Sequence, residues 1–276
     1  MSIVRTLIIL ALVGLILGGS AFFAYELYWK PRKLDMEDRA SSSQAGGTVP
    51  DYTLPAFERA AEIERTGGVD GARAAWGEFI RNFPNSPKIA EAKSALGGIN
   101  TSQVFSPVPS PEKASYSVGK GDSLVKIASK FKSNAELIFR ANNLQTINLK
   151  IGQQLVIPQL DMSIVVDRKG RTVTLLNRGQ FFKEYRALAL KTPGVSTSAQ
   201  IKVVDKIALH GSNRVAFGEK NYAGSERWVM LSSSGLAIRS LPEGPGATPP
   251  PGIIVAQPDI EEIFLLVSRG TPVTIQ

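Results

Sequence analysis

The chain of 276 residues, 43% hydrophobic and 20% charged, has the length for two or three small domains and the composition of a globular protein. Its 32 basic and 24 acidic residues leave a net charge of +8, which suits an anionic lipid surface or wall polymer; the basic residues are scattered without an aromatic-interleaved stripe, which speaks against nucleic acid. There is no cysteine and His210 is the only histidine, so disulfides, a lipidated cysteine, thiolate or His-rich metal sites and a cysteine nucleophile are excluded, and neither a metal nor a cofactor is expected.

Residues 7–24, LIILALVGLILGGSAFFA, are apolar on every face. As a helix at about 1.5 Å per residue they reach roughly 27 Å, near the hydrocarbon thickness of a bilayer. Tyr25, Tyr28 and Trp29 follow at headgroup level, and then Lys30, Arg32 and Lys33. Residues 1–33 therefore read as a transmembrane helix and membrane anchor. Phe22 and Phe23 make a poor signal-peptidase site, which favours an uncleaved anchor. By the positive-inside rule the basic cluster favours a cytoplasmic location for residues 34–276, whereas the modules within them imply the outside.

Residues 34–53, with ASSSQAGGTVP at 40–50, read as a flexible linker. Residues 54–100 read as a short α-helical hairpin segment. Phe57, Ala60, Ala61 and Glu64 share one helical face, and Gly67-Gly68 breaks the helix. A second helix over about 69–83 buries Ala72, Ala75, Trp76 and Phe79; Pro84-Asn85-Ser86-Pro87 stops it, and 88–96 forms a third. The pattern resembles a single tetratricopeptide-type unit, too little to stack into a solenoid. Pro107, Pro109 and Pro111 make 101–114 a stiffer linker.

Over 115–158 the periodicity changes. Tyr116-Ser117-Val118 alternates as a strand ended by Gly119 and Gly121. Asp122 is placed to cap a helix with Leu124, Ile127, Ala128 and Phe131 at i, i+3, i+4 and i+7. Ser133 and Glu136 offer a capping box for a second helix carrying Leu137, Ile138 and Ala141. Gly152 turns the chain into a last strand, 154–157, closed by Pro158. Tyr116, Val118, Gly121-Asp122-Ser123-Leu124, Ile127-Ala128, Asn142-Asn143-Leu144, Leu149, Gly152-Gln153, Leu155 and Ile157-Pro158 together resemble the LysM family over the whole βααβ module. The resemblance implies binding of N-acetylglucosamine-containing glycans in a shallow groove between two loops. It places the glycan-binding residues at Gly121, Asp122, Ser123 and Leu124, facing Thr146, Ile147, Asn148 and Leu149.

From 161 to 276 short alternating strands dominate, with turns at Asp167-Arg168-Lys169-Gly170 and Asn177-Arg178-Gly179-Gln180. Asp259 is placed to cap a helix whose stripe is Ile260, Ile263, Phe264 and Val267; Gly270 ends it before a final strand, 271–275. Three pieces, 201–207, 224–231 and 259–273, resemble the β-rich L,D-transpeptidase domain. In that family a histidine-glycine pair precedes a serine-x-glycine-cysteine-x-arginine motif, and the cysteine attacks a stem-peptide amide. One alignment puts the histidine at Arg239 and the cysteine at Ile253, as vestigial catalytic positions. The other matches His210-Gly211 to the histidine pair and the run from Ser234 to Arg239 to the motif. Either way the nucleophile is absent, and no catalytic residue is assigned. Ser232, Ser233 or Ser234 could replace it only with a base, for which His210 alone is available.

The reading is a multidomain α+β protein of the cell envelope that binds peptidoglycan glycan strands. It is held at the inner membrane by its N-terminal helix and carries an inactive L,D-transpeptidase-like domain with stem peptides or cell-wall enzymes as further partners. Two alternatives stand: an L,D-transpeptidase with a non-cysteine nucleophile, and an adaptor acting through the helical hairpin.

Overall fold

The computed structural model describes residues 51–196, 199–233, 235–241 and 251–276. The anchor expected over 1–33, most of the first linker and Ser234 lie outside these residues. No helix among the described residues is long and apolar enough to cross a membrane.

Pro55 in the first turn opens helix α1 (Leu54–Thr66), and the Gly67 N–H closes it on the Ile63 carbonyl at 2.7 Å. Gly68, at φ 71°, reverses the chain into α2 (Gly68–Asn82), as the Gly67-Gly68 break predicts. Ala60, Trp76, Phe79, Ala92 and Leu96 are buried together, with the Phe57 ring edge-on to Trp76 at 5.1 Å.

The third helix departs from expectation. Helix α3 spans Ile89–Val104, running through Gly97-Gly98 into the segment read as linker. The reason lies in packing. A Cβ on Gly97 would stand 2.9 Å from Lys183 Cγ, so glycine is what lets this helix lie against the sheet. There Asn100 donates its amide to the Phe182 carbonyl at 2.8 Å, and Lys93 pairs with Glu184 at 2.8 Å. Such contacts outweigh the roughly 1 kcal/mol that a glycine costs inside a helix.

Strands β1 (Lys113–Ser117) and β2 (Gln154–Pro158) pair antiparallel with Tyr116 opposite Leu155. Helices α4 (Leu124–Lys130) and α5 (Ala135–Ala141) complete the βααβ order, and Val118, Leu124, Ile127, Ala128, Ile138, Leu155 and Ile157 form its core. Both expected caps are corrected. Ser123 rather than Asp122 caps α4, its hydroxyl accepting the Lys126 N–H at 3.3 Å. Asn134 rather than Ser133 caps α5, accepting the Glu136 N–H at 2.9 Å, and Glu136 is used elsewhere.

The rest of the chain supplies β3 (Met162–Asp167), β4 (Thr172–Asn177), β5 (Gln180–Arg186), β6 (Ala189–Lys191) and β7 (Ala199–His210). Then come β8 (Asn213–Val215), β9 (Glu226–Leu231), β10 (Ala237–Arg239), β11 (Gly252–Ile254), α6 (Gln257–Leu266) and β12 (Pro272–Ile275). Among the described residues these strands form a ten-stranded sheet in the order β5-β4-β3-β12-β7-β9-β10-β11-β6, with β8 beside β7. Arg178 and Gly179, at φ 52° and 74°, make the tight β4–β5 turn. Helix α6 buries Ile260, Ile263 and Phe264 as its periodicity predicts, but Ala256 occupies the cap position and Asp259 lies inside the first turn.

The βααβ module is docked on this sheet domain, within one unit spanning Thr53–Gln276. Leu137 from α5 joins the core of the sheet domain, while Phe217 from the sheet domain packs on the core of the module. The Phe217 ring stands 5.4 Å from Phe139 on one side and 5.4 Å from Tyr222 on the other, both edge-on. The Tyr222 hydroxyl donates to the buried Glu136 carboxylate, and the Arg227 guanidinium lies 4.0 Å over the Tyr222 ring. Beside them Lys206 donates to the Val267 carbonyl at 2.8 Å; burial lowers its pKa to about 7, with Arg227 adding to the fall and Glu136 opposing it. Phe217→Ala removes the ring that the sheet domain packs on the core of the module. It is expected to destabilise the protein by about 2–4 kcal/mol, read as a lower midpoint in denaturant; an unchanged midpoint would mean that the junction contributes nothing.

Candidate glycan-binding loops and vestigial site

The ladder of the βααβ module ends at the pair Ser117–Gln154, so the loop after β1 and the loop before β2 emerge side by side. They are tied together: the Gly152 N–H donates to the Val118 carbonyl at 2.8 Å and the Val118 N–H to the Gln153 carbonyl at 2.9 Å. In the first loop the Asp122 carboxylate accepts the Gly119 N–H at 2.7 Å and the Tyr116 hydroxyl at 2.8 Å. Those bonds hold its pKa below the usual aspartate value, the backbone bond from Gly119 first and Tyr116 second, while the Tyr116 hydroxyl is raised. Gly121, at φ 80°, supplies a left-handed turn, and Lys126 donates to its carbonyl at 2.8 Å. In the second loop the Thr146 hydroxyl accepts the Asn148 N–H at 3.2 Å, and Lys150 and Gln153 close the turn into β2.

The expected site residues thus fall into three groups. Gly121, Asp122 and Ser123 shape the first loop, and Thr146 and Asn148 the second. Leu124 is only 3% exposed and belongs to the core, and Leu149 is half-buried against it. Ile147 is 47% exposed, but its Cδ1 is close enough to Gly218 of the sheet domain that a Cβ there would lie at 3.2 Å. Two exposed aliphatic residues lie outside the expected set: Val125 at 66% and Ile151 at 72%. Val125 is legible in the sequence, because it falls off the stripe formed by Leu124, Ile127, Ala128 and Phe131. Together the loops offer exposed aliphatic surface beside backbone groups, the materials of a shallow carbohydrate site. A cleft of about 390 Å³ opens beside them, between Pro107 and Pro109 and the Asn142, Leu144 and Gln153 side of the module.

Arg239 and Ile253 lie on neighbouring parallel strands, β10 and β11, but not on one face. Ile253 aligns with Ile238 and Arg239 with Ile254, so the alternation of a strand turns the two side chains to opposite sides. Ile253 is fully buried in the main core. Arg239 stacks on Trp228 at 4.0 Å; its Nε is buried with no hydrogen-bond partner among the described residues, and burial lowers its pKa. A Cβ on Gly252 would stand 2.7 Å from the Ala237 carbonyl oxygen, so β11 approaches β10 too closely for a side chain at that position. The other alignment rests on Ser232, Ser233 or Ser234, of which Ser234 lies outside the described residues. Ser232 bonds to Lys202 at one end of β7 and His210 is exposed at the other, about 26 Å away at some 3.3 Å per residue.

Residues 116–158 match the family model for the LysM domain. No curated protein matches the chain. Among solved structures, an L,D-transpeptidase from Mycobacterium smegmatis aligns at 13% identity and TM-score 0.31, over 46% of this chain and 64% of that protein. An L,D-transpeptidase from Stackebrandtia nassauensis aligns at 12% identity and TM-score 0.32, over 75% of this chain and 78% of its own. One from Enterococcus faecium aligns at 14% identity and TM-score 0.30, over 72% and 82%. The chain therefore spans less than two thirds of the first of these proteins.

The Asp122 staple sets a pH dependence. Its folded pKa is depressed, so its contribution is complete above the unfolded pKa and is lost as pH falls through the folded one. The Gly119 amide resonance is expected to titrate with a midpoint below the usual aspartate range. A midpoint at or above that range would mean that the staple does not form.

Proposed function

We propose that this chain is a membrane-anchored peptidoglycan-binding protein of the bacterial cell envelope, gripping glycan strands through its LysM domain. The observation that carries the reading is the LysM domain at 116–158, with two mutually hydrogen-bonded loops that hold Val125, Ile147 and Ile151 towards solvent. Ordered backbone donors and acceptors beside apolar surface suit an N-acetyl group and the face of a pyranose ring. The apolar run at 7–24 supports anchorage in the inner membrane, with the remainder of the chain facing the periplasm or wall.

The domain at 161–276 is, in this reading, an L,D-transpeptidase-like scaffold that performs no transpeptidation. Three observations support it: the chain contains no cysteine, Ile253 lies in the core, and the only histidine is remote from Ser232. Stem peptides and wall enzymes are its candidate partners, with Arg239 the group suited to a carboxylate.

The decisive test is sedimentation of the full chain with purified sacculi, in which Ile151→Asp is expected to lower retention at least tenfold with an unchanged melting temperature. Ile151 is a better probe than Ile147, which touches the sheet domain. Full retention of the folded variant would move the glycan site off these loops. Ile253→Cys should release no D-alanine from a tetrapeptide muropeptide above a no-protein control, since its side chain faces the core; release would overturn the scaffold reading.

A further inference from the structure

The LysM domain carries six basic and two acidic residues over 116–158: Lys120, Lys126, Lys130, Lys132, Arg140 and Lys150 against Asp122 and Glu136, a net 6 − 2 = +4. All six cations are exposed. Of the acids, Glu136 is buried beneath Tyr222 and Arg140, and the half-exposed Asp122 carboxylate is engaged by the Gly119 N–H and the Tyr116 hydroxyl. The outward charge is therefore predominantly positive, six exposed cations against one half-exposed carboxylate. It is also concentrated where the ligand would lie: Lys120 stands in the first loop, Lys126 is fastened to the Gly121 carbonyl, and Lys150 stands in the second loop beside Ile151.

A neutral sugar polymer gains nothing from such a rim, because nothing in it balances the charge. A glycan carrying carboxylates on peptide side branches does, and the gain grows as salt falls, since exposed charges are screened over a Debye length of about 8–10 Å at 0.1–0.15 M salt. Single lysine ammoniums suit dispersed carboxylates better than one dense anion, for which arginines with their forked donors are the usual partner. We infer that Lys120, Lys126 and Lys150 form an electrostatic rim selecting peptide-substituted, carboxylate-bearing glycan over neutral chitin. This rests on the proposed glycan site and names the ligand that site prefers.

The test compares retention of the full chain on purified sacculi, on sacculi whose peptide carboxylates have been converted to amides, and on chitin. Native sacculi are expected to bind at least tenfold more tightly than either neutral matrix at about 50 mM salt, with the advantage shrinking several-fold by about 500 mM. Lys120→Glu/Lys150→Glu should bring native sacculi down to the amidated level and leave chitin unchanged. Lys169→Glu/Arg178→Glu alters net charge equally on exposed turns of the sheet domain and should leave all three unchanged. Equal binding to native and amidated sacculi would overturn the rim, as would an equal loss in the sheet-domain variant. Absence of binding to every matrix would instead overturn the glycan site itself.

Discussion

A carboxylate withdrawn from water has to be met by donors and cations, and Glu136 finds its own on both sides of a domain boundary. Arg140 comes from the same helix at 3.2 Å; the Tyr222 hydroxyl comes from the sheet domain, with Lys206 near enough to be felt. Separating the LysM domain from the sheet would strip this charge of its hydroxyl donor and expose the Phe139–Phe217–Tyr222 ring contacts as well. A hydrogen bond to a charged group contributes roughly 1.5–3 kcal/mol, and the ring contacts add to it. The Tyr222–Glu136 bond and the ring contacts thus fasten the LysM domain to the sheet.

The same device recurs at the other joint. Glu262 on α6 accepts Lys183 at 2.8 Å, Tyr185 at 2.8 Å and Thr101 of α3 at 3.1 Å, so one carboxylate fastens the helical hairpin to the sheet. Burial, reinforced by Glu262, raises the Tyr185 pKa well above its ordinary value, which keeps that hydroxyl a donor over the physiological range. Two shared carboxylates, together with the close approach at Gly97, make the hairpin, the LysM domain and the sheet a single framework.

Those joints explain which features are legible in the sequence. Periodicity alone locates α1, α2, the two LysM helices and the α6 stripe, because local burial decides them. The features it misses depend on residues far away in the chain. The third helix reads as ending at 96 until Lys183 is placed against Gly97, and Glu136 reads as half of a capping box until Tyr222 arrives. Asp122 reads as a cap, but Ser123 is the better-placed acceptor and releases Asp122 to staple the loop. Within the candidate site, Leu124 and Val125 are neighbours of like chemistry. Only the direction of the helix tells that Leu124 faces the core and Val125 faces solvent.

Rigidity in the joints bears directly on recognition. A shallow groove makes few contacts, so any entropy spent in ordering its loops would consume much of the binding energy. Here that ordering is built in before a ligand arrives, by the Asp122 bonds, the Val118–Gly152 and Val118–Gln153 bonds and the packing of Ile147 on Gly218. On the sheet domain, β10 and β11 are ordered as closely as the loops are. Nucleophile and base need one face and hydrogen-bond reach of each other, whereas β10 and β11 send Arg239 and Ile253 to opposite faces and seal the gap at Gly252. Those strands also hold the Arg239 guanidinium 4.0 Å over the Trp228 ring, a stacked cation beside the sealed gap.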